Sequence, residues 1–277
     1  MEKKTILITG STDGIGRATA RALLQQGQRV IVHGRNEEKG HRVMKELGRE
    51  TGTEPVDLFI ADLSSQETIR RLSDEILSHH PLLDVLINNA GTYQMSRQLT
   101  EDGMEMTFAV NYLSPFLLTA RLMDAIKLAA PSRIVNVASS AHRDVSAIDW
   151  NNLQGEKKYE PWEAYSLSKF AMVTFTYRLS EILEGTGITV NCLHPGVINT
   201  KLLRSAFPEI PGASPEEGAR TSVCLATSPK VNSISGKYYE EMRLVRSEPL
   251  TYQKDIQERL WRLAEGLTGI TYDRIQS

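Results

Sequence analysis

The chain has only two cysteines in 277 residues, Cys192 and Cys224, each inside an apolar segment and without the spacing that metal sites use. That excludes a disulfide framework and a cysteine-held metal, and it points to buried thiols in a reducing compartment, so a cytoplasmic location is expected. No apolar run approaches the roughly 20 residues needed to cross a bilayer. Four residues precede the first predicted strand, too few for a signal peptide, so no membrane anchor is expected. Charge of one sign is also lacking: 32 Lys and Arg stand against 34 Asp and Glu, for a net charge of -2, with the two signs interspersed. Nucleic acid is therefore excluded as a partner. Internal repeats, low-complexity tracts and linkers are absent, and a chain of this length with 40% hydrophobic residues suits one core. One domain over residues 1–277 is expected.

What the chain does have is alternation. Short β-branched runs at 5–9, 29–33, 56–61, 85–88, 133–138, 188–193 and 237–239 alternate with longer segments of helical period. Most of the runs are continuously apolar, as in strands covered on both faces. Ile15, Ala18, Ala22 and Leu23 form a helical stripe closed by Gly27. Ser64 with Glu67, and Ser214 with Glu217, read as capping boxes, the second with Pro215 at the first helical position. The pattern predicts an α/β fold: one doubly wound Rossmann domain, a seven-stranded parallel sheet with helices on both faces. A substrate loop is expected near 200–213 and a helical tail near 249–277. In such a sheet ligands bind beyond the carboxyl ends of the strands, which is where the informative residues fall.

The first run leads straight into Gly10, Ser11, Thr12, Asp13, Gly14, Ile15 and Gly16, then a helix. Backbone N–H groups at that helix start can face a pyrophosphate, and glycine lets the chain turn tightly and approach it. At the end of the second run a nicotinamide site that prefers NAD carries a carboxylate for the ribose 2′-hydroxyl. Here the residues are His33, Gly34, Arg35 and Asn36, with no carboxylate to repel a 2′-phosphate and a guanidinium fork suited to it. Arg17 offers a second positive charge. NADP(H) is the expected cofactor. Asn89, Ala90 and Gly91 end the fourth run, where small residues let the chain pass beside the cofactor and Asn89 can tie neighbouring strands.

Tyr165 and Lys169 are four apart and share a helix face. An ammonium near a phenol favours the phenolate and lowers its pKa from about 10, so Tyr165 can serve as acid or base. A serine at the end of the fifth run, Ser139 or Ser140, would hydrogen-bond the substrate oxygen beside it. Asn111 interrupts a predicted helix in which asparagine is a poor helix former.

The order and spacing of the glycine turn, Asn89-Ala90-Gly91, Asn111, Ser139-Ser140 and Tyr165-x-x-x-Lys169 resemble the short-chain dehydrogenase/reductase family. Residues 132–137, the stretch 149–156 and the terminal Leu260-Trp261 are similar to its retinol dehydrogenase branch. The resemblance implies a hydride-transferring oxidoreductase acting on a lipophilic carbonyl or alcohol. It assigns the substrate hydrogen bond to Ser140, with Ser139 as fallback. It assigns a helix bend and a lysine-linked water to Asn111, the adenine to Asp62 and Leu63, and the nicotinamide carboxamide to the segment of Pro195, Gly196, Val197 and Thr200. It further implies a homo-oligomer paired through the helices bearing Asn111 and Tyr165, unless the tail blocks them. A redox sensor, an epimerase and a dehydratase are the competing readings. A sensor tends to lose Tyr165 and Lys169, and the other two need a larger carboxyl-terminal region.

Overall fold

The structure is a computed structural model in which residues 3–272 are described. The strands are β1 (Thr5–Ile8), β2 (Arg29–Gly34), β3 (Asp57–Ile60), β4 (Val85–Asn88), β5 (Ser132–Val137), β6 (Ile188–His194), β7 (Lys237–Glu240) and β8 (Arg243–Val245). They form one sheet in the order β3-β2-β1-β4-β5-β6-β7-β8. The first seven run parallel, as expected, and β8 is added antiparallel to β7. The added strand follows a tight turn in which Glu241 and Met242 both have positive φ, at 49° and 61°. A two-residue turn of that hand is usually announced by Asn-Gly or Asp-Gly, and this one is not, so the sequence does not signal it.

Helices α1 (Gly14–Gln25), α2 (Glu37–Thr51) and α8 (Pro215–Thr227) cover one face, and α3 (Gln66–His79), α5 (Ser114–Leu128) and α6 (Pro161–Ile182) the other. Along β1, Ile6 and Ile8 enter the first layer and Leu7 the second. That two-sided burial is why the strand is continuously apolar. The strand order reverses between β1 and β4, which opens a crevice at their carboxyl ends.

Local signals set the helix starts. Asp13 caps α1, and Ser214 and Glu217 form the expected reciprocal box on α8. For α3 the cap is Ser65, one residue later than expected. The Ser64 amide instead donates to the Asp62 carboxylate at 2.9 Å, so the chain makes one more turn before the helix begins.

The short α4 (Met106–Phe108) leads into a π-helical turn over Ala109–Leu113 and then α5. After β8, the helix α9 (Lys254–Thr268) lies across α5 and α6. Trp261 meets Phe116 at 5.0 Å and Phe175 at 5.8 Å, and the Tyr112 hydroxyl donates to the Leu260 carbonyl at 2.9 Å. The tail thus packs on α5 and α6, next to the helices through which the expected homo-oligomer would pair.

Candidate active site

Three loops meet at the carboxyl ends of β1, β4 and β6. A Cβ on Gly10 would lie 3.0 Å from the Ala90 Cα, and one on Gly16 would lie 2.4 Å from the Gly10 carbonyl oxygen and 2.5 Å from Asn89 Nδ2. No side chain fits at position 16, so the turn wraps back on itself and closes against the β4 loop. Asn89 locks this arrangement by donating to the Thr9 carbonyl at 2.8 Å, while Thr9 Oγ1 accepts from the Asn89 and Ala90 amides. From the β6 side, Thr200 reaches the glycine turn, 3.1 Å from where a Gly14 Cβ would sit. Pro195, Gly196 and Val197 lead to it, and the Val197 carbonyl is tied to the Ala213 amide at 2.8 Å.

These residues fit a dinucleotide. The first-turn amides of α1 lack intrahelical partners and form an anion-binding end, set against small residues of the β4 loop. Arg35 is exposed at the end of β2 and takes part in no ion pair among the described residues. Asn36 beside it caps α2. Asp62 is exposed after β3 and Leu63 is buried. Arg17 does not join this group, because its guanidinium is committed to Glu46 at 3.2 Å and Glu50 at 2.5 Å on α2. The sequence shows Arg17 beside Gly16 but not that α2 brings two carboxylates to the same face.

At the reacting centre, Lys169 is buried and its Nζ donates to the Val137 carbonyl at 3.0 Å. It lies 5.7 Å from the centre of the Tyr165 ring. Desolvation lowers its pKa to about 8. Gly91 leaves the floor open here: a Cβ on it would meet Asn111 Oδ1 at 3.3 Å and Lys169 Nζ at 3.5 Å. Asn111 sits in the π-turn with its side chain satisfied on every side. Its Oδ1 accepts from the Thr92 amide at 2.8 Å, and its Nδ2 donates to the Thr92 carbonyl at 3.0 Å and to Ser168 Oγ at 2.9 Å. The extra residue of a π-turn is how a helix admits such a polar side chain inward.

Ser139 lies near enough to the Tyr165 phenol for its side chain to lower the phenol's pKa. Backbone extension persists through Ser139, at φ −161° and ψ 154°, carrying it past the end of β5 to Tyr165. Ser140 begins a 3-10 turn capped by the Ser139 side chain, which accepts from the Ala141 amide at 3.2 Å. Of the two serines, Ser139, the expected fallback, is the one that bears on the Tyr165 phenol. The expected lowering of the phenol's pKa is not found either. Burial raises it, the Ser139 side chain lowers it, Tyr93 raises it further, and Lys169 is not among the causes, so Tyr165 holds its proton.

Two features were invisible in the sequence. His33, buried in β2, accepts from the Gly10 amide through Nδ1 at 3.0 Å and is held neutral by desolvation, with its pKa down to about 4. Above Tyr165 stands an aromatic wall. Tyr93 is 5.4 Å and Trp162 6.0 Å from its ring, and Phe207, at the end of α7 (Lys201–Ala206), meets Tyr93 at 5.3 Å and Trp162 at 5.6 Å. Thr200, expected at a carboxamide, caps α7 by accepting from the Leu203 amide.

A family model for the short chain dehydrogenase matches residues 4–211, which contain every site residue just described. The chain belongs to the short-chain dehydrogenase family. Like other members it is an oxidoreductase acting between alcohols and carbonyls, and it is similar to the retinol dehydrogenases. Human retinol dehydrogenase 14 is 39% identical over 98% of this chain and 88% of its own length. Human polyprenol dehydrogenase is 35% identical over 96% of this chain and 86% of its own. Among solved structures, an uncharacterised protein of Mycobacterium paratuberculosis superposes with a TM-score of 0.81 at 28% identity, covering 97% of this chain and 94% of the other. A short chain dehydrogenase of Escherichia coli CFT073 complexed with NADPH superposes with a TM-score of 0.73 at 27% identity, covering 88% and 98%.

Proposed function

We propose that this short-chain dehydrogenase is NADP(H)-dependent and exchanges a hydride with the carbonyl or alcohol carbon of a lipophilic small molecule. The observation that carries the reading is the buried Lys169 set 5.7 Å from the centre of the Tyr165 ring, beside the crevice built by the glycine turn. Bound nicotinamide would supply or accept the hydride. The chain's own residues would do the rest. Ser139 holds the substrate oxygen, and Tyr165 gives it a proton in reduction or removes one in oxidation. A phenol whose proton is held by burial is suited to the acid role. Lys169 and Asn111, linked through the floor that Gly91 leaves open, would hold the ribose and connect the phenol to solvent.

Three observations support the finer parts. Arg35, exposed with no carboxylate beside it in sequence, favours a 2′-phosphate, and the NADPH complex of a related structure agrees with that choice. Tyr93, Trp162 and Phe207 present aromatic faces to whatever lies on Tyr165, which favours an apolar substrate. Both cysteines are free thiols, which supports the cytoplasmic reading, and no helix among the described residues is long and apolar enough to cross a membrane. The packing of α9 leads us to replace the expected homo-oligomer with a chain that does not pair through α5 and α6.

The test is NADPH and NADH consumption across a panel of aliphatic, aromatic, steroid-like and retinoid carbonyls, with Tyr165→Phe in parallel. We expect NADPH-linked turnover of the apolar carbonyls, reduced about a thousandfold or more by the substitution with NADPH binding retained. Equal use of NADH, or turnover unaffected by the substitution, contradicts the reading.

A further inference from the structure

His142 is fully buried, three residues past Ser139, and both of its ring nitrogens are engaged. Nδ1 lies 2.6 Å from the Ser139 carbonyl oxygen, which can only accept, so Nδ1 carries the proton. Nε2 is 3.2 Å from the Glu248 amide, which can only donate, so Nε2 is bare. Only the neutral Nδ1–H tautomer satisfies both. The ring lies against Tyr238, 4.7 Å between centres and tilted by 59°. The segment carrying Glu248 is itself fixed to the catalytic helix: Ser247 Oγ pairs with the α6 residue Tyr177 at 2.6 Å, and Tyr252 stacks on Tyr177 at 5.1 Å. A continuous path thus runs from α6 through residues 247–252 and His142 to the backbone of Ser139, whose side chain returns to Tyr165 on α6.

We propose that His142 is a positioning residue for the reacting centre: its neutral imidazole, spanning from the Glu248 amide to the Ser139 carbonyl, fixes the strand end that presents Ser139 to Tyr165. The proposal rests on the oxidoreductase reading above for its kinetic test, and it has a structural test that does not. The structure turns this histidine inward. Protonation would place an Nε2–H against the Glu248 N–H and break the span. The groups around the ring are Arg143 and Asp144 on its own turn, Tyr238 and Glu240 on β7, His194 on β6, and Glu248. Burial pushes the His142 pKa below the usual 6.5, the Ser139 bond raises it, Arg143 lowers it, and Glu240 and Asp144 raise it. The span therefore persists at neutral pH and is lost on the acid side of 6.5.

The experiment compares His142→Phe, His142→Asn and His142→Gln, each confirmed folded by circular dichroism. Asparagine places an N–H where Nδ1 stood and keeps the Ser139 contact. Glutamine reaches only the Glu248 side, and phenylalanine keeps shape alone. We expect kcat to fall between about tenfold and about a hundredfold in the Phe and Gln variants with NADPH affinity unchanged, and the Asn variant to recover most of the loss and to lack the wild-type acid limb. Equal loss in Asn and Gln, or no loss in either, overturns the proposal, and this pair decides the matter even if the Phe variant does not fold. In 15N-labelled protein, His142 should show the Nδ1–H tautomer at pH 7, and the amide signals of Ser139 and Tyr165 should move in His142→Gln and return in His142→Asn. An Nε2–H tautomer, or amide signals indifferent to the substitutions, overturns it without reference to turnover. A wild-type protein that turns over no carbonyl but passes the NMR test fails only the oxidoreductase reading.

Discussion

The two ends of the crevice are built in different ways. At the cofactor end, order is imposed by backbone and short polar side chains: Gly10 and Gly16 fold the turn onto itself, and Thr9 and Asn89 tie β1 to β4 through bonds of 2.8 to 3.0 Å. At the substrate end, order comes from large rings contributed by segments far apart in the chain, Tyr93, Trp162 and Phe207 around Tyr165, and a second ring cluster, Trp261 and Tyr272 against Phe116 and Phe175, fixes α9 in the same way. Backbone-built sites tolerate few residue types, so they leave a fixed spelling in the sequence. Ring-built sites need only bulk at the right place in space, which several residues can supply, and so leave little.

That contrast explains what could be read before the structure. The parallel strands, the glycine turn, Asn89 and the Tyr165-Lys169 pair follow from local spelling and strand period. The antiparallel β8 follows a turn at Glu241 and Met242 that carries no turn spelling, while the aromatic wall and the laying of α9 over α5 and α6 depend on contacts between distant residues, such as the Tyr112 hydroxyl on the Leu260 carbonyl, with a separation of 148. The Ser139 and Ser140 case lies between. The motif narrows the choice to two neighbours, between which extended backbone gives way to a 3-10 turn that the sequence does not mark. Arg17 shows the reverse failing, a charge well placed in sequence but already paired in space.

The comparison can be broken most forcefully at the ring-built end. Trp261→Ala removes a nearly buried indole from the aromatic cluster and should destabilise the fold by about 3–5 kcal/mol, measured by denaturant unfolding, while leaving NADPH affinity of the folded fraction unchanged. A loss under about 1 kcal/mol would mean that α9 is an ornament and not part of the core. Exposure of the α5 and α6 face should also raise the self-association of the 31.0 kDa chain above that of the wild type, read by sedimentation.

Between the two ends sits Lys169. Its folded pKa of about 8 lies below the ordinary 10.5, so across that window the unfolded chain binds more protons and stability rises with pH. The penalty is fully present below about pH 8 and gone above about 10.5, and a shift of that size corresponds to about 3 kcal/mol for this buried group. Lys169→Met should flatten the rise. An unchanged slope would show that the ammonium is not desolvated.

At the backbone-built end the effect should be smaller and confined to cofactor choice. Arg35→Ala should narrow the NADPH over NADH preference by about ten- to a hundredfold, as expected for loss of a charge-assisted pair, with no change in melting temperature. An Arg17→Ala variant should leave that preference within about threefold, since its charge is spent on Glu46 and Glu50. The opposite ranking would return Arg17 to the phosphate.

The most direct test of the account is the turnover of Ser139→Ala beside that of Ser140→Ala, with NADPH and the best carbonyl of the panel. The Ser139 contact that lowers the Tyr165 pKa predicts that Ser139→Ala loses about a hundredfold or more of kcat and that Ser140→Ala stays within about threefold of wild type. Loss in Ser140→Ala with Ser139→Ala active would contradict the arrangement at Tyr165 on which the account depends.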